Sequence, residues 1–326
     1  MKTKEPVKEM ALESLDAPAF IEQQVAAIRQ AVGAEVAISA LSGGVDSAVV
    51  TLLGHRALGD RLRTYMVENG LMREGEVERI VASFAALGVP VHVVDARDKF
   101  FAALKGVTDP EEKRTRGITD VFYKDVFAEL VRSSGAKCLL QGTIFTDVEE
   151  TAAGIKRQHN VFEQIGIDPR QAFGYRVVEP LLALRKPAVR AVGRALGLPP
   201  DLSERPPFPG PALAARVIGE VTPERVEIVR QATRVVEELL APVDAFQYMA
   251  VLHEDLVTGI RAGRRDFGRQ IEVRCWDSAD AVHATPTELP FSLLRELADR
   301  LTRDVPGVVS VTYNIACKPP SCIEAV

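Results

Sequence analysis

The sequence has no apolar run long enough to cross a membrane, and its opening, MKTKEPVKEMALESLD, contains no signal-peptide core. Cysteine is sparse: Cys138, Cys275, Cys317 and Cys322 are the only four in 326 residues and lack zinc-ribbon spacing. In a chain of this length that usage points to a reducing, cytoplasmic setting. Positive charge is not in excess. The net charge of −5 implies no general affinity for nucleic acid. Internal repeats and low-complexity tracts are absent. One further absence is more specific. The stretch LSGGVDSAVV at 41–50 looks like a phosphate loop, yet the lysine of G-x-x-x-x-G-K-[ST] is missing from it.

What is present begins around that stretch. AEVAISAL (34–41) is an apolar, β-branched run and reads as a buried strand. DSAVVTLLGHRAL (46–58) has helical periodicity and opens on Asp46 and Ser47, which suit a helix start. Between them Ser42, Gly43 and Gly44 let the backbone turn sharply and expose N–H groups. A helix N-terminus behind a glycine turn is an anion site, because unpaired amides and the helix dipole both favour negative charge. With no lysine in the loop, Asp46 at its mouth suggests a metal ion that brings the phosphates in.

The composition, 47% hydrophobic and 26% charged, is that of a globular protein, and the length suits about two domains. Helices are expected near 19–33, 46–58, 75–87 and 120–134, alternating with strands at 35–41, 62–67, 90–95 and 137–141. Such alternation predicts an α/β fold, a doubly wound parallel sheet with ligands beyond the carboxyl ends of its strands. SGGVDS, ENGLMR and QGTIFTDVEE each follow a strand, so the fold brings them to one edge. Residues 148–176 have little hydrophobic period and carry Lys156, Arg157 and His159; they read as a lid. The proline-rich RPPFPGPALAARVIGEV (205–221) reads as a stiff, non-helical crossing at a domain boundary. Beyond it, a helix (222–240), a strand (269–276), a helix (288–304) and a strand (308–315) predict a second, smaller α+β domain.

SGGVDS resembles the pyrophosphatase loop of the N-type ATP pyrophosphatases. DPEEKR (109–114), QGTI…DV (141–148), K-x-x-H-N-V (156–161), FPGP (208–211) and KPP…IE (318–324) are similar to motifs of the GMP synthetase family. The resemblance runs from about residue 19 to the end and implies an adenine-nucleotide alpha-hydrolase-like domain at 19–205 behind a tail at 1–18. It implies a dimerisation and substrate domain at 206–326, and a homodimer. No glutamine amidotransferase segment is expected ahead of it, as in two-subunit systems, where a separate amidotransferase feeds ammonia to the synthetase. The implied reaction uses ATP and Mg²⁺: the C2 oxygen of XMP attacks the α-phosphate, pyrophosphate leaves, and ammonia displaces AMP. The bond broken is α–β, which explains a loop that holds leaving pyrophosphate without a γ-phosphate lysine.

Carried over by position, the resemblance places ATP on Ser42, Gly43, Gly44, Val45, Asp46, Ser47 and Gly142, with the metal on Asp46. Lys156 and His159 would close over the phosphates, and Asp147 and Glu150 match acidic positions near the base and lid. Arg114, Gln247, Lys318, Ile323 and Glu324 would form the purine nucleotide site. The sequence departs from the family pattern at Glu68, Gln158, Phe162–Glu163, Pro206, Ala262–Gly263, Ser310 and the C-terminal SCIEAV. These departures fall mainly on the substrate side. They leave two other readings open: an ATP-dependent sulfurtransferase or other paralogue, with Cys317 and Cys322 handling sulfur, and a non-catalytic nucleotide-binding homologue.

Overall fold

The computed structural model describes residues 7–152, 174–204, 208–279 and 282–326. The chain divides into two compact units: residues 1–67, 77–95 and 122–205 form one, and residues 68–76, 96–121 and 206–326 the other.

The first unit is built on a five-stranded sheet of order β3-β2-β1-β4-β5. The strands are β1 (Ala37–Leu41), β2 (Leu62–Glu68), β3 (Val91–Asp95), β4 (Cys138–Leu140) and β5 (Arg176–Val178). β1 runs parallel to β2 and β4, and β4 runs parallel to β5. The chain order reverses between β1 and β4. In an open α/β sheet this is where the loops beyond the strand ends part and leave a crevice.

α1 (Ala17–Val32) starts at Asp16, whose carboxylate accepts from the Ala19 N–H at 3.0 Å, and stops at Gly33. Its buried face is Phe20, Ile21, Val25, Ile28 and Val32. α2 (Val45–Leu58) is covered along most of its length, with Val49, Val50, Thr51 and Leu53 all but inaccessible to solvent. α3 spans Glu76–Ala86; α4 (Arg97–Leu104) belongs to the second unit. The expected helix at 120–134 is longer than its apolar pattern indicates. It begins at Pro110–Glu112, widens to π-helical winding over Lys113–Phe127 and ends as α-helix Ala128–Ser134, together called α5. α6 is Phe145–Ala152, and α7, which the sequence pattern did not indicate, is Lys186–Ala195.

In the second unit α8 (Pro223–Leu240) is capped by Thr222 and buries Val226, Val229, Thr233, Val236 and Leu240, the spacing of one helical face. The sheet it meets has four strands: β6 (Gln247–Arg261), β7 (Arg264–Asp277), β8 (Thr285–Pro286) and β9 (Val308–Tyr313). β6 and β7 form an antiparallel hairpin closed by Ala262 (φ 50°) and Gly263 (φ 74°). Two positive φ angles in a two-residue loop are those of a type I′ turn, which suits Gly263 and strains Ala262. β9 lies parallel to β7, and α9 (Phe291–Asp304) buries Leu297 and Leu301. The proline-rich crossing is not free of helix as expected. Ala212–Arg216 coil into a 3₁₀ turn with every residue buried, because the prolines end before it and small apolar side chains follow.

Candidate functional site

β1 and β4 end side by side, since Ser39 is in register with Leu140. The turn after β1 is Ser42-Gly43-Gly44, with Gly43 at φ 81°. Ser47, in the first turn of α2, ties the turn together. Its Oγ accepts from the Ser42 N–H at 3.2 Å and donates to the Gly44 carbonyl at 3.0 Å, and it lies 3.0 Å from the Ser42 Oγ. The first-turn amides of α2, at Val45, Asp46 and Ser47, have no acceptor within the helix.

After β4 the chain passes Gly142, and its lack of a side chain is required there. A Cβ at Gly142 would stand 3.0 Å from the carbonyl carbon of Asp46 and 3.2 Å from its Cβ and O. Gln141 and Gly142 therefore pass directly over the start of α2.

The lysine absent from the loop arrives from elsewhere. Lys186, the first residue of α7, places its Nζ 2.5 Å from Asp46 Oδ2, across 140 residues of chain. α7 packs beside α2, so the N-termini of both helices come to this point. A cation at a helix N-terminus is disfavoured by the helix dipole; here the Asp46 carboxylate offsets that cost. The other oxygen, Asp46 Oδ1, is buried with no hydrogen-bond partner among the described residues. An ammonium, two helix N-termini and a glycine turn form a site for polyphosphate, and the unpartnered carboxylate oxygen is a hard ligand for a divalent cation. No group of three or more His, Cys, Asp or Glu among the described residues could hold a metal alone.

Of the remaining residues carried over to this side, Asp147 lies in the first turn of α6. Its Oδ2 accepts from the Ile144 N–H at 3.0 Å, a helix-starting bond. Glu150 belongs to the same helix, and its side chain is not among those described. Lys156, His159 and most of the lid expected at 148–176 lie outside the described residues.

The second unit holds a separate constellation. Gln247, the first residue of β6, donates from Nε2 to Glu324 Oε1 at 2.8 Å. Ile323 is buried with Met249, Val251, Trp276 and Ala284, and so anchors the chain end that carries Glu324. Arg114, exposed on α5, donates to the Val326 carbonyl. Lys318 pairs its backbone with Ala284 in both directions, at 2.8 and 3.1 Å. Ser310 stands on β9 opposite Gln270, while Arg264 and Arg265 open β7 and are exposed. Cys317 and Cys322 are exposed and flank Lys318.

Two residues here escaped the sequence reading. Arg216 is completely buried, with Nε 3.6 Å from Glu324 Oε2. Its only trace in the sequence is a charge closing the small apolar run ALAAR. Glu272 is the other. Burial opposes its charge, but bonds from His253 (2.7 Å), Arg274 (2.7 Å) and Asn314 (2.9 Å) outweigh it and bring the carboxyl down to about 2. Arg274 also donates to the Cys322 and Ile323 carbonyls, at 2.9 and 3.3 Å. Glu272 thus steadies the arginine that holds the C-terminal segment.

Comparison with known proteins bears on both constellations. Residues 22–144 match the family described as asparagine synthase, and residues 234–325 match the GMP synthase C terminal domain. One of the subunits of the glutamine-hydrolyzing GMP synthase of Archaeoglobus fulgidus is 46% identical over 95% of this chain and 99% of that protein. The corresponding protein of Methanocella arvoryzae is also 46% identical, with the same coverage. Among solved structures, the NH3-dependent NAD synthetase of Campylobacter jejuni superposes with a TM-score of 0.45. It is 15% identical and covers 59% of this chain and 78% of that one.

Proposed function

The chain belongs to this family of GMP synthase subunits, and from that premise we propose that it catalyses the ATP-dependent amidation of XMP to GMP. Its relatives are single subunits of a glutamine-hydrolyzing enzyme, which implies a separate glutamine amidotransferase as the partner and the source of ammonia. This reading is favoured over a sulfurtransferase or a non-catalytic homologue.

The observation that carries the chemistry is the pairing of Lys186 with Asp46 over the glycine turn. Attack by the C2 oxygen of XMP on the α-phosphate breaks the α–β bond, and charge develops on the departing pyrophosphate. The α2 amides, the Ser42 and Ser47 hydroxyls and the Lys186 ammonium stand ready for that charge, and fixed donors of this kind need no reorganisation as it grows. Asp46 would hold Mg²⁺ through its unpartnered Oδ1; when bound, the ion neutralises phosphate charge and orients the leaving group. Lys186 and Asp46 neutralise each other across their 2.5 Å contact. The same pair would then divide its work, Asp46 toward the cation and Lys186 toward the pyrophosphate.

On the acceptor side Gln247 and Glu324 supply a donor and an acceptor for the purine and its ribose. Arg114 and Lys318 suit the phosphate. The lid would contribute Lys156 and His159, with Asp147 and Glu150 at its base. The remaining features of this reading are a cytoplasmic location and a two-fold homodimer through residues of about 222–326. The test is pyrophosphate release with ATP, Mg²⁺ and ammonium across XMP and other purine nucleotides. XMP should be the preferred acceptor, and a different preferred acceptor would replace this assignment.

A further inference from the structure

A guanidinium with no solvent exposure and no hydrogen bond is costly, because a distant ion pair alone does not replace its lost hydration. Arg216 is in that position: its Nε, Nη1 and Nη2 all lack a hydrogen-bond partner among the described residues. Other polar atoms of the second unit share the condition among the described residues. Glu324 Oε2, at 3.6 Å, is buried without a hydrogen bond, as is Nε1 of Trp276, which stands opposite Gln247 in the hairpin register. Arg216 thus faces one oxygen of the carboxylate that Gln247 grips from the other.

Arg216 is also held from its face. Its Cζ lies 4.9 Å from the centre of the Phe208 ring, and the Arg73 guanidinium lies 3.9 Å from the same ring. Arg73 is itself fixed by Glu237 at 2.6 Å. The backbone beneath is a fully buried 3₁₀ turn, and the Leu213 N–H donates to the Leu71 carbonyl at 2.9 Å. Packing and cation–π contact therefore restrict where the guanidinium can point, which is toward Glu324.

We infer that Arg216 is a positioning residue for the acceptor nucleotide: it fixes the Glu324 carboxylate opposite Gln247, so that the carboxylate meets N–H or O–H donors of a purine nucleotide in a set orientation. This rests on the reading that Glu324 contacts that nucleotide. Arginine is required because its planar cation lies on the Phe208 ring while its edge faces the carboxylate; lysine offers a point charge and no such plane.

The test is steady-state kinetics of pyrophosphate release with ammonium, Mg–ATP and XMP. Arg216→Lys is expected to raise the KM for XMP at least tenfold and leave the KM for ATP within twofold. Glu324→Gln should raise the XMP KM as well, and the double variant should be no worse than Glu324→Gln alone, since a residue acting through another adds nothing once that one is gone. If Arg216→Lys does not fold, Phe208→Leu removes the ring beneath the guanidinium while keeping an apolar side chain. It should raise the XMP KM about threefold to tenfold, again with ATP unaffected. An unchanged XMP KM in the folded variant, equal rises for XMP and ATP, or additive effects in the double variant would overturn the inference. A parent protein with no XMP-dependent turnover would instead remove the functional reading beneath it.

Discussion

Replacing Gly142 by alanine adds one methyl group at the tightest point of the nucleotide loop. The new carbon would stand 3.0 Å from the Asp46 carbonyl carbon and 3.2 Å from its Cβ and O. Carbon contacts are comfortable at about 3.5–4.0 Å, so the two segments must part by roughly half an ångström. The backbone angle does not forbid alanine, because Gly142 is not among the positive-φ glycines. The effect therefore comes from the contact alone. α2 cannot retreat, since Val49 and Leu53 are fully buried behind it, so the displacement falls on the turn and on the Asp46 carboxylate. A misplacement of about 1 Å in a reacting constellation costs on the order of 100-fold, which puts the expected loss in kcat between roughly 10- and 100-fold. The stability loss should be about 1–3 kcal/mol, as for other overpacked sites. The assay is pyrophosphate release at saturating ATP, XMP and ammonium, with a urea melt to confirm folding. A folded Gly142→Ala variant with kcat within twofold of the parent would refute the placement of this loop at the reacting phosphates.

Three other outcomes follow from the same geometry. Lys186→Met should lower kcat by roughly 100-fold or more, the usual cost of removing a donor to developing oxyanion charge; activity within threefold of the parent would show that the Asp46 pair is only structural. Glu272, held at about 2 against an ordinary 4.5, stabilises the fold above pH 4.5 and loses that contribution as pH falls through 2. Glu272→Gln should then cost at most about 3 kcal/mol at pH 7, with the deficit shrinking as pH approaches 2 in urea melts; a deficit independent of pH would contradict this assignment. Ala262→Asn should stabilise the second unit by about 1 kcal/mol, because asparagine tolerates the positive φ that strains alanine in a type I′ turn; a lower melting temperature would argue against that turn.

The sheet of the first unit was legible where apolar, β-branched residues run together, as at Ala37–Leu41, Leu62–Glu68 and Val91–Asp95. AISAL is buried almost throughout and LRTYMVE at four of its seven positions, and the ends of both fell within two residues of expectation. β6 was not read, although it is the longest strand. His253, Glu254 and Asp255 break its apolar pattern, its register shifts between Leu252 and Leu256, and its far end carries an exposed Ile260. β5 has three half-buried residues, too few to show a period. In the site, the loop from Ser42 to Ser47 announced itself because its residues are contiguous. Lys186 did not, because its meaning depends on two helix N-termini converging across 140 residues. Arg216 was hidden for a similar reason: a charge after four apolar residues looks like the end of an apolar run until its burial is known. Asp147 drew its expected role from the resemblance alone, and its Oδ2 also accepts from the Ile144 N–H at the start of its helix.

The most direct test of the proposed amidation is the product balance of a single reaction mixture containing the purified chain, ATP, Mg²⁺, ammonium and XMP. GMP, AMP and pyrophosphate are expected in equal amounts, with no pyrophosphate when XMP is left out. ADP and inorganic phosphate in place of AMP and pyrophosphate, or pyrophosphate formed without GMP, would contradict it.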